Sequence, residues 1–171
     1  MSPQEAKILG EYFARQIEEE LKTTKKILGA LPQNQMQFKL GEKGRTAAQL
    51  AWHIVSADRW FGEGVANGGF AGAESEGEPP ATVAEILAQY EKDQPPLIAR
   101  LRNMTGEQLA APVNFMNMAT LPVVLYAGWW LNHSIHHRGQ MSAYLRAMNA
   151  HVPATYGDSA DEPFGAAGAT A

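Results

Sequence analysis

Four of the five histidines in this chain fall between Asn132 and Pro153, in NHSIHHRGQMSAYLRAMNAHVP. Three of them, His133, His136 and His137, lie within five residues, and His53 sits eighty positions earlier in LAWHIVSADRWF. Imidazole is the commonest protein ligand for metal ions and the side chain that most readily moves a proton near neutral pH. The chain has no cysteine. Thiolate zinc sites, iron–sulfur clusters, disulfides and a cysteine nucleophile are therefore excluded, and a metal would have to be held by nitrogen and oxygen.

Which way the rings point follows from helical geometry. With His133 as origin, His137 lies at about 40° and Tyr126, Trp129, Trp130, Gln140, Met141 and Tyr144 all within about 80°, at ~100° per residue. This is the apolar stripe of the last helix, so it faces the core. His136 falls on its edge, while Arg138 and Gly139 point away. With His53 as origin, Leu50, Ala57, Trp60, Phe61 and Gly64 cluster in the same manner, and Asp58 and Arg59 lie on the far side. His53 is thus also central on a core stripe.

Taken singly, each inward histidine suits a core imidazole satisfied by hydrogen bonds. Three together are harder to satisfy, because none of them can be charged cheaply inside the core. Two at i, i+4 on one helix and a third on another suit one divalent cation, and three neutral nitrogens leave positions open for water or substrate. Two rival centres do not fit. The residues three before His53, His133, His136 and His137 are Leu50, Trp130, His133 and Ser134, so the Glu-x-x-His pairs of di-iron bundles are missing. There is no HExxH either.

The elements that must carry these residues read as helices. SPQE at Ser2–Glu5, and Thr46 with Gln49, Thr82 with Glu85 and Thr105 with Gln108, have the capping-box spacing. The first helix is expected to bury Ile8, Tyr12, Ile17, Leu21, Thr24, Leu28 and Leu31 and to end near Pro32. The second should stop at Asn67-Gly68-Gly69. The third carries Pro95 and Pro96 inside it, where a kink or break is expected. The stretch AAPVNFMNMATLP reads as irregular, and the last helix should run from about Pro122 to Met148. Four long helices without strand alternation predict an all-α four-helix bundle with at least one long crossover connection. Residues 1–157 form the expected domain. Residues 158–171 are a polar, small-residue tail whose last residues are expected to be disordered.

The bulk numbers limit the partners. The 171 residues carry 14 Lys and Arg against 18 Asp and Glu, a net charge of −4. No basic run exceeds the small group of Lys22, Lys25 and Lys26, which suits a solvated helix face, so no nucleic-acid surface is expected. No apolar run is long enough to span a bilayer, and the N-terminus is amphipathic rather than a leader. A cytoplasmic location is expected.

The segment HSIHHRGQMSAYLRAMNAHVP resembles the H-x-x-x-H-R-G-Q motif of the DinB-like (DinB/YfiT) superfamily. LAWHIVSADRWF resembles that family's second-helix motif, and VPATYGDSADEPF resembles the Tyr-Gly-Pro-Ser tail of one branch, with Asp158 in place of the proline. The resemblance covers nearly the whole chain. It implies a four-helix bundle with long connections and one divalent ion, zinc or nickel, on His53, His133 and His137. His136 and His151 match no ligand position. It also implies a metal-dependent enzyme acting on a small molecule, as a hydrolase or a transferase with a low-molecular-weight thiol as cosubstrate. The alternative class is a non-catalytic metal-binding bundle acting in stress response or as a dimeric interaction module. No catalytic side chain is assigned. Gln140 and His136 are expected beside the ligands, with Tyr126, Trp60, Trp129, Trp130 and Tyr144 as pocket walls. Gly139, costly in a helix by about 1 kcal/mol, suggests close approach of another helix, in the same subunit or in a homodimer. Arg138 beside it would pair with an acid across that contact or be solvated.

Overall fold

The computed structural model describes residues 1–70, 72 and 76–164. Four long helices, α1 (Pro3–Gly29), α2 (Ala47–Asn67), α3 (Val83–Asn103) and α5 (Val123–Ala147), form the bundle, with a short α4 (Gly106–Ala110) between α3 and α5. Ser2, Thr46, Thr82 and Thr105 each close a reciprocal capping box with the residue three places on, so four of the five helix starts are fixed by local chemistry. Gly68, at φ 65°, takes the left-handed conformation that ends α2.

Around the bundle the order is α1, α3, α2, α5, each helix packing on two neighbours. Hence α1 to α2 and α3 to α5 are diagonal steps, and both need long connections. Residues 30–46 make the first, with a 3-10 turn at Gln33–Gln35 and a bridge between Lys39 and Thr46. The second holds α4 and an antiparallel hairpin, β1 (Pro112–Phe115) paired with β2 (Ala119–Pro122). The hairpin corrects the reading of this stretch as irregular. Its turn places Met116 and Asn117 at φ 51° and 60°, a geometry normally flagged by glycine, and no glycine is present to flag it.

Two further expectations change. Helix α3 is not broken at Pro95 and Pro96. The carbonyls deprived of partners are those four residues back, on Glu91 and Lys92, which are both exposed and within reach of water. On α1, Ile8 and Tyr12 are exposed, and the buried stripe runs through Ala6, Gly10, Ala14, Ile17, Thr24, Ile27 and Leu28. The tail's described part folds back: Ser159, Asp161 and Glu162 bond to Val152 and Ala154, and Asp161 pairs with Arg146. The terminal residues expected to be disordered lie outside the described residues.

The core divides in two. One apolar cluster gathers Ala14, Ile17, Phe61, Leu97, Leu101, Val124 and Trp130, the other Ile27, Leu28, Leu50, Ile54, Ile86, Met141 and Leu145. Between them every long helix contributes polar groups at the same level: Glu20 and Thr24, His53 and Asp58, Gln94, and His133, Ser134 and Arg138. This polar waist contains the candidate site.

Candidate metal centre

His53 comes from α2, and His133 and His137 from successive turns of the adjacent α5. Their nitrogens converge: His53 Nε2 lies 3.2 Å from His137 Nε2 and 3.2 Å from His133 Nε2. One ligand atom from each lies within 4.8 Å of the others. Ligands on a tetrahedral ion with ~2.05 Å bonds stand about 3.3 Å apart, so the spacing is that of a zinc-sized site.

The other nitrogen of each ring faces an oxygen. His53 Nδ1 is 2.8 Å from Glu76 Oε1 and His137 Nδ1 2.8 Å from Gln140 Oε1. His133 Nδ1, which has no hydrogen-bond partner among the described residues, faces Asp58 Oδ1 at 3.8 Å. The amide of Gln140 is oriented by its other end, where its NH2 donates to His136 Nε2 at 3.2 Å. A carboxylate or amide oxygen can only accept, so the bonded Nδ1 atoms of His53 and His137 must carry the protons. With the protons on Nδ1, their Nε2 atoms face each other as two acceptors at 3.2 Å. A proton or a metal cation between them removes that repulsion. The proton is disfavoured at neutral pH, because burial holds His137 down to about 4, with Gln140 opposing the shift and the other imidazoles adding to it. The donor set therefore fits a divalent cation.

Each outer oxygen is itself held. Glu76 is fixed by the Trp52 indole N–H, which donates to its carbonyl, and by an ion pair with Arg45. Asp58 is 1% exposed and accepts from the Ser134 hydroxyl at 2.6 Å and from Tyr90 at 3.3 Å. Burial pushes the Asp58 carboxyl up, opposed by His133 and by these hydroxyls. Metal-bound histidines are commonly backed by carboxylates in this manner, which fixes the tautomer and raises ligand basicity.

Asp58 and Glu76 were not singled out by the sequence. Asp58 does point away from His53, but α2 packs on both α3 and α5, so its far side is a second buried face rather than solvent. In the sequence Asp58 stands next to Arg59 and ahead of Glu63 on the same helix, so its charge alone does not mark it. Glu76 sits in the polar connection after α2, where nothing in the spacing marks it.

The other expected residues separate. Tyr144, Gln140 and His137 line a cavity of about 380 Å³ together with Leu40, Lys43 and Arg45. Tyr126 instead anchors the hairpin, its buried hydroxyl donating to the carbonyls of Val113 and Ala119. Trp60 packs on Phe61, Phe70 and Phe115, Trp130 fills the core, and Trp129 packs on Phe115 and Tyr126. These aromatics support the α5–hairpin corner and do not line that cavity. His151 is a tail contact, paired with Glu162. Gly139 is exposed, and a methyl group there would meet nothing within 4 Å among the described residues, so none of the described helices approaches it. Arg138 is neither solvated nor turned out of the bundle. It is buried against Glu20 and Thr24 of α1 and covered by Tyr156 from the tail.

The model of the DinB superfamily matches residues 16–141. The chain belongs to the DinB superfamily. A DinB-like protein of Bacillus cereus ATCC 10987, solved by crystallography, superposes with a TM-score of 0.74 at 26% identity, covering 85% of this chain and 97% of its own. The DinB-like protein YjoA of Bacillus subtilis shares the fold, with a TM-score of 0.66 at 16% identity over 89% of this chain and 99% of its own. The uncharacterized protein YrdA of Bacillus subtilis strain 168 is 26% identical over 155 residues, 89% of this chain and 90% of the relative. Among the described residues no helix is long and apolar enough to cross a membrane.

Proposed function

We propose that this DinB-superfamily chain is a metal-dependent enzyme acting on a small molecule, of the thiol-S-transferase or hydrolase type. One divalent ion, zinc or nickel, would be held by His53, His133 and His137. The observation that carries the reading is the convergence of three imidazoles, with His53 Nε2 3.2 Å from Nε2 of both His133 and His137. When bound, such an ion supplies a Lewis-acid centre able to polarise an oxygen or sulfur donor of a small molecule. The chain's own part is to hold the rings. Glu76 and Gln140 keep the protons on the outer nitrogens, and Asp58 offers a buried negative charge behind His133.

The cavity beside His137 gives a small substrate, and a low-molecular-weight thiol as cosubstrate, access to the site. A cytoplasmic location goes with this reading, since thiols stay reduced there. A second copy of the chain is the partner proposed for the open surface at Gly139, testable by sedimentation. The activity is tested by turnover of a panel of thiols and electrophiles with zinc- or nickel-loaded protein. Turnover should vanish on chelation and return with the ion. Loaded protein that turns over no transfer or hydrolysis substrate would contradict it.

A further inference from the structure

We infer that the cavity beside His137 contains a subsite for a negatively charged group of the substrate, with Lys43 and Arg45 as the residues that receive it. The inference rests on the proposed metal centre only for the reactive end of that molecule. The cavity has apolar walls from the buried Leu50 and the exposed Leu40 and Ala143, and the exposed Lys43 and Arg45 line it with no carboxylate among its described lining residues. Arg45 gives one nitrogen to Glu76, and a guanidinium has five N–H donors in all. Lys43 makes no hydrogen bond or ion pair with the described residues.

The loop that carries these cations is built rather than loose. Its base is closed by the bridge between Lys39 and Thr46, and Gly41, at φ 90°, turns the chain so that Gly44 N–H donates to the Gly41 carbonyl. The Tyr144 hydroxyl of α5 donates to the Arg45 carbonyl at 2.9 Å. A Cβ at Gly44 would stand 3.0 Å from that hydroxyl, so glycine lets the loop lie against the helix. The same cavity is lined by His137 and Gln140. A molecule held by its charge at Lys43 and Arg45 therefore presents its other end to His137. The charge count agrees. Asp58 and Glu76 would offset a divalent ion, and these two cations leave the cavity positive. At about 380 Å³ it suits a compact ligand, near the lower end of small-molecule sites.

The test uses two thiols of similar length, 3-mercaptopropionate and 3-mercapto-1-propanol, titrated into the ¹⁵N-labelled full chain with and without zinc. The carboxylate compound should bind about tenfold more tightly, as two solvent-screened cations allow, and should move the amide signals of Gly44, Arg45 and Gln140. Lys43→Glu should lose most of the preference. Lys92→Glu, an equal charge change on the exposed face of α3, should keep it. Equal affinity for the two thiols, or a preference that survives Lys43→Glu, would overturn the subsite. Cobalt loading read in parallel separates the two claims. Protein that takes up no cobalt refutes the metal centre, while the metal-free titrations still decide the anion subsite.

Discussion

Replacing Asp58 by asparagine removes a charge and almost no volume from behind His133. The carboxylate is buried, accepts from Ser134 and Tyr90, and faces His133 Nδ1, which has no hydrogen bond among the described residues, at 3.8 Å. Losing such a partner typically weakens metal binding ~10–100-fold, which is about 1.4–2.7 kcal/mol. The metal-free fold should lose little, because burial already disfavours the charged carboxylate and asparagine keeps one accepting oxygen. Asp58→Ala is the contrasting change. It strands the hydroxyls of Ser134 and Tyr90 in the core at about 1–3 kcal/mol each, so it should lower the melting temperature with or without metal. The assay is competitive titration of zinc against a chromophoric chelator, with thermal melts of the metal-free proteins. Unchanged zinc affinity in Asp58→Asn would refute the role given to the carboxylate.

In metal-free protein, His137 is held to about 4 against an ordinary 6.5, so the unfolded chain binds the proton first. Stability should be intact above ~6.5 and fall as pH drops toward ~4, by about 1–2 kcal/mol once solvent screening of the half-buried ring is counted. Denaturant melts at neutral pH and near pH 5 check this, and equal midpoints would contradict it. Gln94 is buried with neither amide atom bonded among the described residues. Gln94→Met should therefore raise stability by about 1–2 kcal/mol and leave zinc affinity unchanged; a drop in either would show that the amide is used.

Much of the fold was legible because its signals are local. Capping boxes at Ser2, Thr46, Thr82 and Thr105 and the glycine stop at Gly68 depend only on nearby residues. The inward angles of His53, His133 and His137 follow from helical periodicity alone. The remainder depends on what packs against what. Asp58, Arg138 and Gln94 look like surface residues on a helix with one buried face, yet α2 and α5 each meet two neighbours and α3 also bridges two. The polar waist emerges only once four helices are set side by side. Glu76 reaches His53 from a connection whose course no periodicity describes. Tyr126 and Trp130 share the histidine stripe, but they lie toward the hairpin end of α5, where they bury themselves in the core.

The most direct measurement is the metal content of the purified protein by elemental analysis after loading with zinc and desalting, for wild type and for His53→Ala, His133→Ala, His136→Ala and His137→Ala. Wild type and His136→Ala should hold about one ion per chain, and the other three should lose most of it, since each removes one of three ligands. Full occupancy in His133→Ala, or a loss in His136→Ala equal to that in His137→Ala, would contradict the centre described here.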